Sequence, residues 1–340
     1  MHHEPDRSPA RPTLERIALD ASVSVSTVSK VLNGREGVST RTRQAVETLL
    51  AESGYARRGS ESEPGSLVEL VIESLDSDWA LAIIRGVERV AREAGLTVAL
   101  TARGDPDAPR HDWITGVLRR KPIALVLVFS GLSAEHRQQL HTRNISFVVV
   151  DPAGDPDPEL PSIGATNWAG GHAATRHLLA LGHRRIGVIS GPTGLMFSRA
   201  RVAGHRSALE EARIPVDPEL IRVGKLSRRA GEREARQLLA LENPPTAIFT
   251  GNDQQAFGVY DAAAALGLVI PDDLSVVGFD DIPPAQWLTP PLTTVRQPLV
   301  DIAEEATRLA LRMRVEHVPN VRLELATTLV ERGSTARPSR

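Results

Sequence analysis

The sequence predicts an N-terminal all-α headpiece of helix-turn-helix type, followed by an α/β core of two doubly wound parallel-sheet lobes. Three observations carry this. Paired helical apolar stripes run between residues 13 and 50, composition breaks at residues 56–66, and from Leu67 onward short apolar runs alternate with amphipathic helical stretches. The corresponding division is a headpiece at 1–58, a linker at 59–66, a first lobe at 67–161 plus 291–318, and a second lobe at 162–290 plus 319–332. A chain of 340 residues has room for all of these.

In the headpiece, Leu14, Ile17, Ala18 and Ala21 fall at helical spacing. Val23 breaks the period across a polar turn, and Val28, Val31 and Leu32 begin a new stripe. Two short helices therefore meet at an angle over one small core. Ser24 is placed to cap the second helix, whose opening residues are small and polar enough to enter a groove. A third stripe, Ala45, Val46, Leu49 and Leu50, closes a three-helix unit. A surface α-hairpin would show the same spacing. The wording is more specific: IALDASVSVSTVSKVLNGREGVSTRTRQAV resembles the DNA-binding headpiece of the lactose-repressor (LacI/GalR) family nearly throughout. That family usually has Gly where this chain has Ser22, so Ser22 is either strained at positive φ or sits in a different turn.

The resemblance implies roles for single residues. Val25 and Ser26 open the recognition helix and face base edges, with Lys30 further along the same side, where an ammonium reaches guanine O6 or N7. Ser24, Thr27, Ser29 and Asn33 suit phosphates, which position without specifying, although Ser29 has the alternative of bonding back to its own helix. Residues 1–59 carry nine bases against seven acids, but Lys30, Arg35, Arg41 and Arg43 cluster after the second helix begins. Such a patch supports salt-dependent binding when two copies act together. The family generally carries a hinge helix after the headpiece, with an Arg and a Leu entering the minor groove. Here the segment ARRGSESEPGS has no Leu wedge, and Pro64 interrupts a helix. Arg57 and Arg58 are the remaining candidates for minor-groove or phosphate contact.

In the core, LVELVI, LTVAL, IALVLVF and ISFVVV read as buried strands between helices. A second series follows, with RIGVIS, LIRVG, TAIFT and LSVVGF as strands. After PPLTTVRQP come a helix at 300–315 and a last strand near 321–330. LALGHRRIGVISGP, SRARVAGHRSAL, FTGNDQQAFGVYDAAAALGLVIPDDLSVVGFDD and PPLTTVRQP look like the periplasmic-binding-protein-like core of the same family.

Ligands of open α/β sheets bind beyond the carboxyl ends of the strands. Strand ends here carry Asn252 with Asp253, Asp280 with Asp281, and Ser198 with Arg201. A carboxylate, an amide and a guanidinium supply acceptors and forked donors for vicinal hydroxyls. By similarity to the family motifs, Arg201, Asn252 and Asp280 are the effector contacts, with an Arg201–Asp280 ion pair as the structural alternative for Arg201. Asp253 and Ser198 read as helix caps and Asp281 as a loop carboxylate. Trp79 and Trp168 begin helices at the mouths of the lobes and suit a sugar face. Trp287 is placed similarly, core packing is the rival role for all three, and Trp113 reads as packing.

The implied molecule is a homodimeric repressor of transcription on a pseudo-palindromic double-stranded DNA operator, controlled by a small effector, a mono- or oligosaccharide. A purine is the alternative effector. The polar start MHHEPDRSPARP and the lack of an apolar run of about 18 residues lead to the expectation of a cytoplasmic, nucleoid-associated protein with no membrane partner. Zero cysteines exclude disulfides, and His172, His177 and His183 are spaced too irregularly for a metal site. No cofactor is implied. A transport-type binding protein would need a secretory signal, and an enzyme would need a motif such as a Walker loop or Gly-x-Ser-x-Gly, which the sequence lacks.

Overall fold

The computed structural model describes residues 13–32, 37–53, 66–104, 113–128, 132–152, 160–316, 318 and 321–339. The headpiece holds α1 (Leu14–Asp20), α2 (Val25–Leu32) and α3 (Thr40–Glu52). Each helix opens on a hydroxyl cap: Thr13, Ser24 and Ser39 accept from the amides of Arg16, Thr27 and Thr42 at 3.3, 3.1 and 3.2 Å. These satisfy amides that have no partner within the helix. Ile17, Ala18, Val28, Val31, Leu32, Val46 and Leu50 form the core. Ala45, expected in the third stripe, is exposed; the buried face turns through Val46 and Leu50 instead. Ser22 sits at φ +52°, so the first of the two alternatives holds.

The first lobe contains β1 (Leu67–Ile72), α4 (Asp78–Glu93), β2 (Thr97–Ala102), α5 (Trp113–Arg120), β3 (Ala124–Val128), α6 (Ala134–Thr142), β4 (Ser146–Val150) and β5 (Ser162–Ala165). The second contains α7 (Asn167–Ala180), β6 (Ile186–Ser190), α8 (Met196–Glu211), β7 (Ile221–Val223), α9 (Arg228–Leu239), β8 (Ala247–Thr250), α10 (Asp253–Ala265), β9 (Ser275–Asp280) and β10 (Thr293–Arg296). The chain then returns through α11 (Leu299–Arg312), β11 (Arg322–Leu325) and β12 (Thr328–Val330). The sheet orders are β11-β5-β4-β3-β1-β2 and β12-β10-β9-β8-β6-β7. Every pairing is parallel except that of β12 with β10. Central strands such as β3 and β6 are buried along their whole length, as sheets covered on both faces require.

The lobe boundaries differ from those expected at 161/162, 290/291 and 318/319. β5 pairs with β4 and belongs to the first lobe, while β10 pairs with β9 and belongs to the second. The expected last strand is two, β11 in the first sheet and β12 in the second. Only α11 of the returning stretch lies wholly on the first lobe, burying Leu299, Ile302, Ala303 and Ala306 there. The reason is physical: strands of three or four residues carry almost no periodic signal, and their pairing is non-local. The chain therefore crosses between lobes three times, after β5, after β10 and after β11.

Candidate ligand cleft and nucleic-acid interface

Arg201 is the centre of the cleft. It lies one turn and a half into α8, which approaches α7 so closely that a Cβ at Gly171 would collide with the Arg201 carbonyl and one at Gly204 with that of Trp168. These glycines let two helix backbones touch, and so aim the guanidinium at the strand ends. Its Nε donates to Asn167 Oδ1 at 2.8 Å and its Nη1 to the Gly251 carbonyl. The cation lies 3.7 Å from the ring centre of Phe279 and 4.8 Å from that of Phe197. Such stacking favours a planar guanidinium.

Three buried carboxyls surround this cation. Burial pushes Asp280 up to about 7, opposed by Arg201 and by Gln297 Nε2, which donates to Asp280 Oδ1 at 2.6 Å. Burial pushes Asp151, at the end of β4 in the other lobe, up to about 6, again opposed by Arg201. Asp253 is raised well above the carboxylate range by burial and then by the neighbouring Asp280. Burial lowers the Arg201 pKa, and Asp280, Asp151 and Asp253 act against that lowering. Arg201 Nη1 and Asp280 Oδ1 are 3.9 Å apart, an ion pair too long for a hydrogen bond. Asp151, Asp280 and Asp281 hold φ of +46°, +116° and +58°. Left-handed backbone of this kind concentrates at ligand clamps.

Other expected residues take different places. Asn252, not Asp253, caps α10, its Oδ1 accepting from Gln255 N at 2.9 Å. Asp253 is instead fully buried, accepting from Thr294 Oγ1 at 2.6 Å and Ile282 N at 2.9 Å. Asn252 takes the cap expected of Asp253 because its extended backbone turns its amide toward the helix start. Ser198 is no cap: it lies inside α8, and its buried Oγ has no partner. Asp281 bridges Arg296 and Arg332 at 2.7 and 2.6 Å, tying β9 to β10 and the chain end. Trp79 is half-buried and packs against the cores of both lobes. Trp168, 47% exposed, stacks on His172 at 5.1 Å and stands apart from Trp79 and Asp280 in a lateral cavity. Trp287 is exposed and Trp113 is core.

Sequence reasoning missed Asp151, Asn167 and Gln297. Asp151 was findable, since it ends the strand SFVVV as Asp280 ends SVVGFD. Asn167 and Gln297 stand at crossovers, which the sequence does not mark.

On the headpiece, Ser24, Val25, Ser26 and Lys30 are exposed along α2, and Thr27 and Ser29 are half-buried. Val25, 42% exposed, is an apolar side chain held open to solvent at the start of the helix. Ser24 Oγ bonds Ser26 Oγ and Thr27 Oγ1, both at 2.8 Å, giving a hydroxyl cluster at the helix entrance. Asn33, Arg57, Arg58 and the linker at 59–65 lie outside the described residues.

A helix-turn-helix unit joined to two hinged lobes, with carboxyls from both lobes around one guanidinium, defines a ligand-responsive DNA-binding protein. Residues 13–58 match the model of bacterial regulatory proteins of the lacI family, and residues 175–335 that of the periplasmic binding protein-like domain. The chain is 33% identical to the HTH-type transcriptional repressor CytR of Escherichia coli K12, over 95% of this chain and 96% of that protein. It is 32% identical to the ribose operon repressor of the same strain, over 95% and 99%. The transcriptional regulator CelR–cellobiose complex superposes with a TM-score of 0.73 at 30% identity, covering 95% of this chain and all of that one. The lac repressor dimer bound to operator and the anti-inducer ONPF does so with 0.70 at 26%, covering 96% and 100%. The chain belongs to the LacI family of bacterial transcriptional regulators.

Proposed function

We propose that this regulator is a homodimeric repressor that binds a pseudo-palindromic operator and changes its grip when a small, neutral, hydroxylated molecule, a sugar, enters the cleft between the lobes. The observation that carries the effector reading is the placement of Asp151 from one lobe with Arg201 and Asp280 from the other. A polyol bridging them would be held by acceptors on both sides and would favour closure. A phosphorylated or carboxylated effector would face three buried carboxyls against one guanidinium. The coupling needed is modest: about 1–3 kcal/mol of differential binding changes operator affinity about 5- to 150-fold.

On the DNA side, Val25 suits a thymine methyl, Lys30 a guanine edge and the Ser24 cluster phosphates. Two headpieces reach half-sites one helical turn apart, which one alone cannot. The relatives named as repressors, and the lac repressor dimer on its operator, support this reading. The test is to select duplexes from a random pool with the full chain and measure their dissociation constants at fixed salt, with and without a panel of sugars and purine nucleosides. Inverted-repeat consensus sites, and a sugar that shifts the constant at least about fivefold, are expected. A purine alone shifting it would replace the sugar.

A further inference from the structure

Beside the cleft lies a second cavity of about 240 Å³ that lacks Asp280, Asn252 and Trp79. Its one wall is the outer edge of the first sheet, where β11 runs parallel to β5 with Arg322 opposite Ser162 and Glu324 opposite Gly164. Its other wall is the second lobe, at the entrances of α7 and α8, with Trp168 and Phe197. Asp151, which faces Arg201 in the cleft, also lines this cavity. Gly164 makes that possible, because a Cβ there would lie 2.6 Å from Asp151 Oδ1. With any larger residue at 164, the Asp151 carboxyl would be displaced.

The chemistry of the walls selects a ligand. Trp168 presents nearly half its surface, an apolar plate backed by the His172 ring at an interplanar angle of 14°. Arg322 Nη2 is 3.4 Å from Glu324 Oε1, and both side chains are about half exposed. So loose and solvated a pair holds its partners weakly, and both remain able to bind a third group. The charged groups on its walls are Asp151, Glu324 and Arg322, two acids to one base, which disfavours an anionic ligand. The volume is below the roughly 300–1,000 Å³ of sites for drug-sized ligands and suits one ring.

We propose that this lateral cavity is a second small-molecule site, taking a single neutral, hydroxylated ring that stacks on Trp168 and hydrogen-bonds Arg322 and Glu324. Because its walls come from both lobes, beside the crossovers that follow β5 and β11, an occupant bridges the lobes independently of the cleft. It biases their closure by as much as it binds one arrangement better than the other.

The experiment labels the full chain with 5-fluorotryptophan. Its four indoles are assigned by single Trp→Phe substitutions, and the ¹⁹F spectrum is followed during titration with D-ribose and with D-glucose. The Trp168 line reports the cavity and the Trp79 line the cleft. At least one sugar is expected to move the Trp168 line in the wild type and equally in Asp280→Asn. The double variant Arg322→Met/Glu324→Leu should raise that midpoint by at least about tenfold, in keeping with the loss of charge-assisted hydrogen bonds, without changing the response of Trp79. Movement of the Trp168 line only together with Trp79, lost in Asp280→Asn, overturns the second site and leaves the cleft reading intact. A Trp168 line still for both sugars also overturns it. Movement of Trp168 with Trp79 silent supports the cavity and counts against the cleft.

Discussion

Arg201 is buried with its guanidinium against the Phe279 and Phe197 rings, donating to an amide and a carbonyl, with carboxyls around it. A lysine has neither the plane to stack nor the fork to donate twice. Arg201→Lys is expected to lower the stability of the core by about 1–3 kcal/mol, as leaving the buried Asn167 and Gly251 acceptors unpaired does, and to abolish the effector response. Calorimetric unfolding and a gel shift with the active sugar check both. At Ser22 the prediction has the opposite sign. A non-glycine residue at φ +52° is strained, so Ser22→Gly should stabilise the headpiece by about 1 kcal/mol. Hydrogen exchange over α1 to α3 in the full chain would then slow by roughly fivefold, and unchanged or faster exchange would contradict it.

Among the elements, α7 and α8 are the pair on which the site depends. Gly171→Ala places a methyl group against the Arg201 carbonyl, forces the helices apart and moves the guanidinium away from Asp280. The expected cost is about 1–3 kcal/mol, with effector affinity falling further than at a glycine outside this contact. Equal affinity in Gly171→Ala and wild type would show that α7–α8 spacing does not place the site. What was legible in the sequence follows the same logic of range. The Ser24 cap, the stripes of α1 and α2 and the long buried strands are local signals, and the structure has them where residue spacing places them. Which of Asn252 and Asp253 caps α10 turns on the local backbone, and the allotment of β5, β10, β11 and β12 to two sheets on partners far along the chain. Neither is written in residue spacing. Asp151 was legible by the strand-end rule that picked out Asp280. Gln297 and Asn167 were not, since a polar residue at a crossover looks like any other loop residue.

For the whole molecule, the buried groups set how stability depends on pH. Asp280 and Asp151 have folded-state values near 7 and 6, above the ordinary 3.8, so the folded chain binds more protons and these groups add stability as pH falls through those values. His205, lowered to about 4 by burial, and His177 and His183, also lowered by burial, act the other way below their ordinary 6.5. There the unfolded chain binds more protons, and stability is lost as pH falls. Between pH 8 and 6 the carboxyl values are the ones crossed, so the ligand-free core should gain stability as pH falls through that range, its melting temperature rising by about 2–4 °C per kcal/mol gained. A flat profile from pH 8 to 6 would mean that Asp280 and Asp151 are not buried together.

The reading as a whole requires that one cleft and one headpiece be coupled. The most direct measurement is the dissociation constant of the full chain for its selected operator, at fixed salt, with and without the active sugar, for wild type and Asp280→Asn. The account predicts a shift of about 5- to 150-fold in wild type, and in Asp280→Asn an unchanged ligand-free constant with the shift gone. A shift of equal size in both proteins, or none in either with every sugar in the panel, would contradict it.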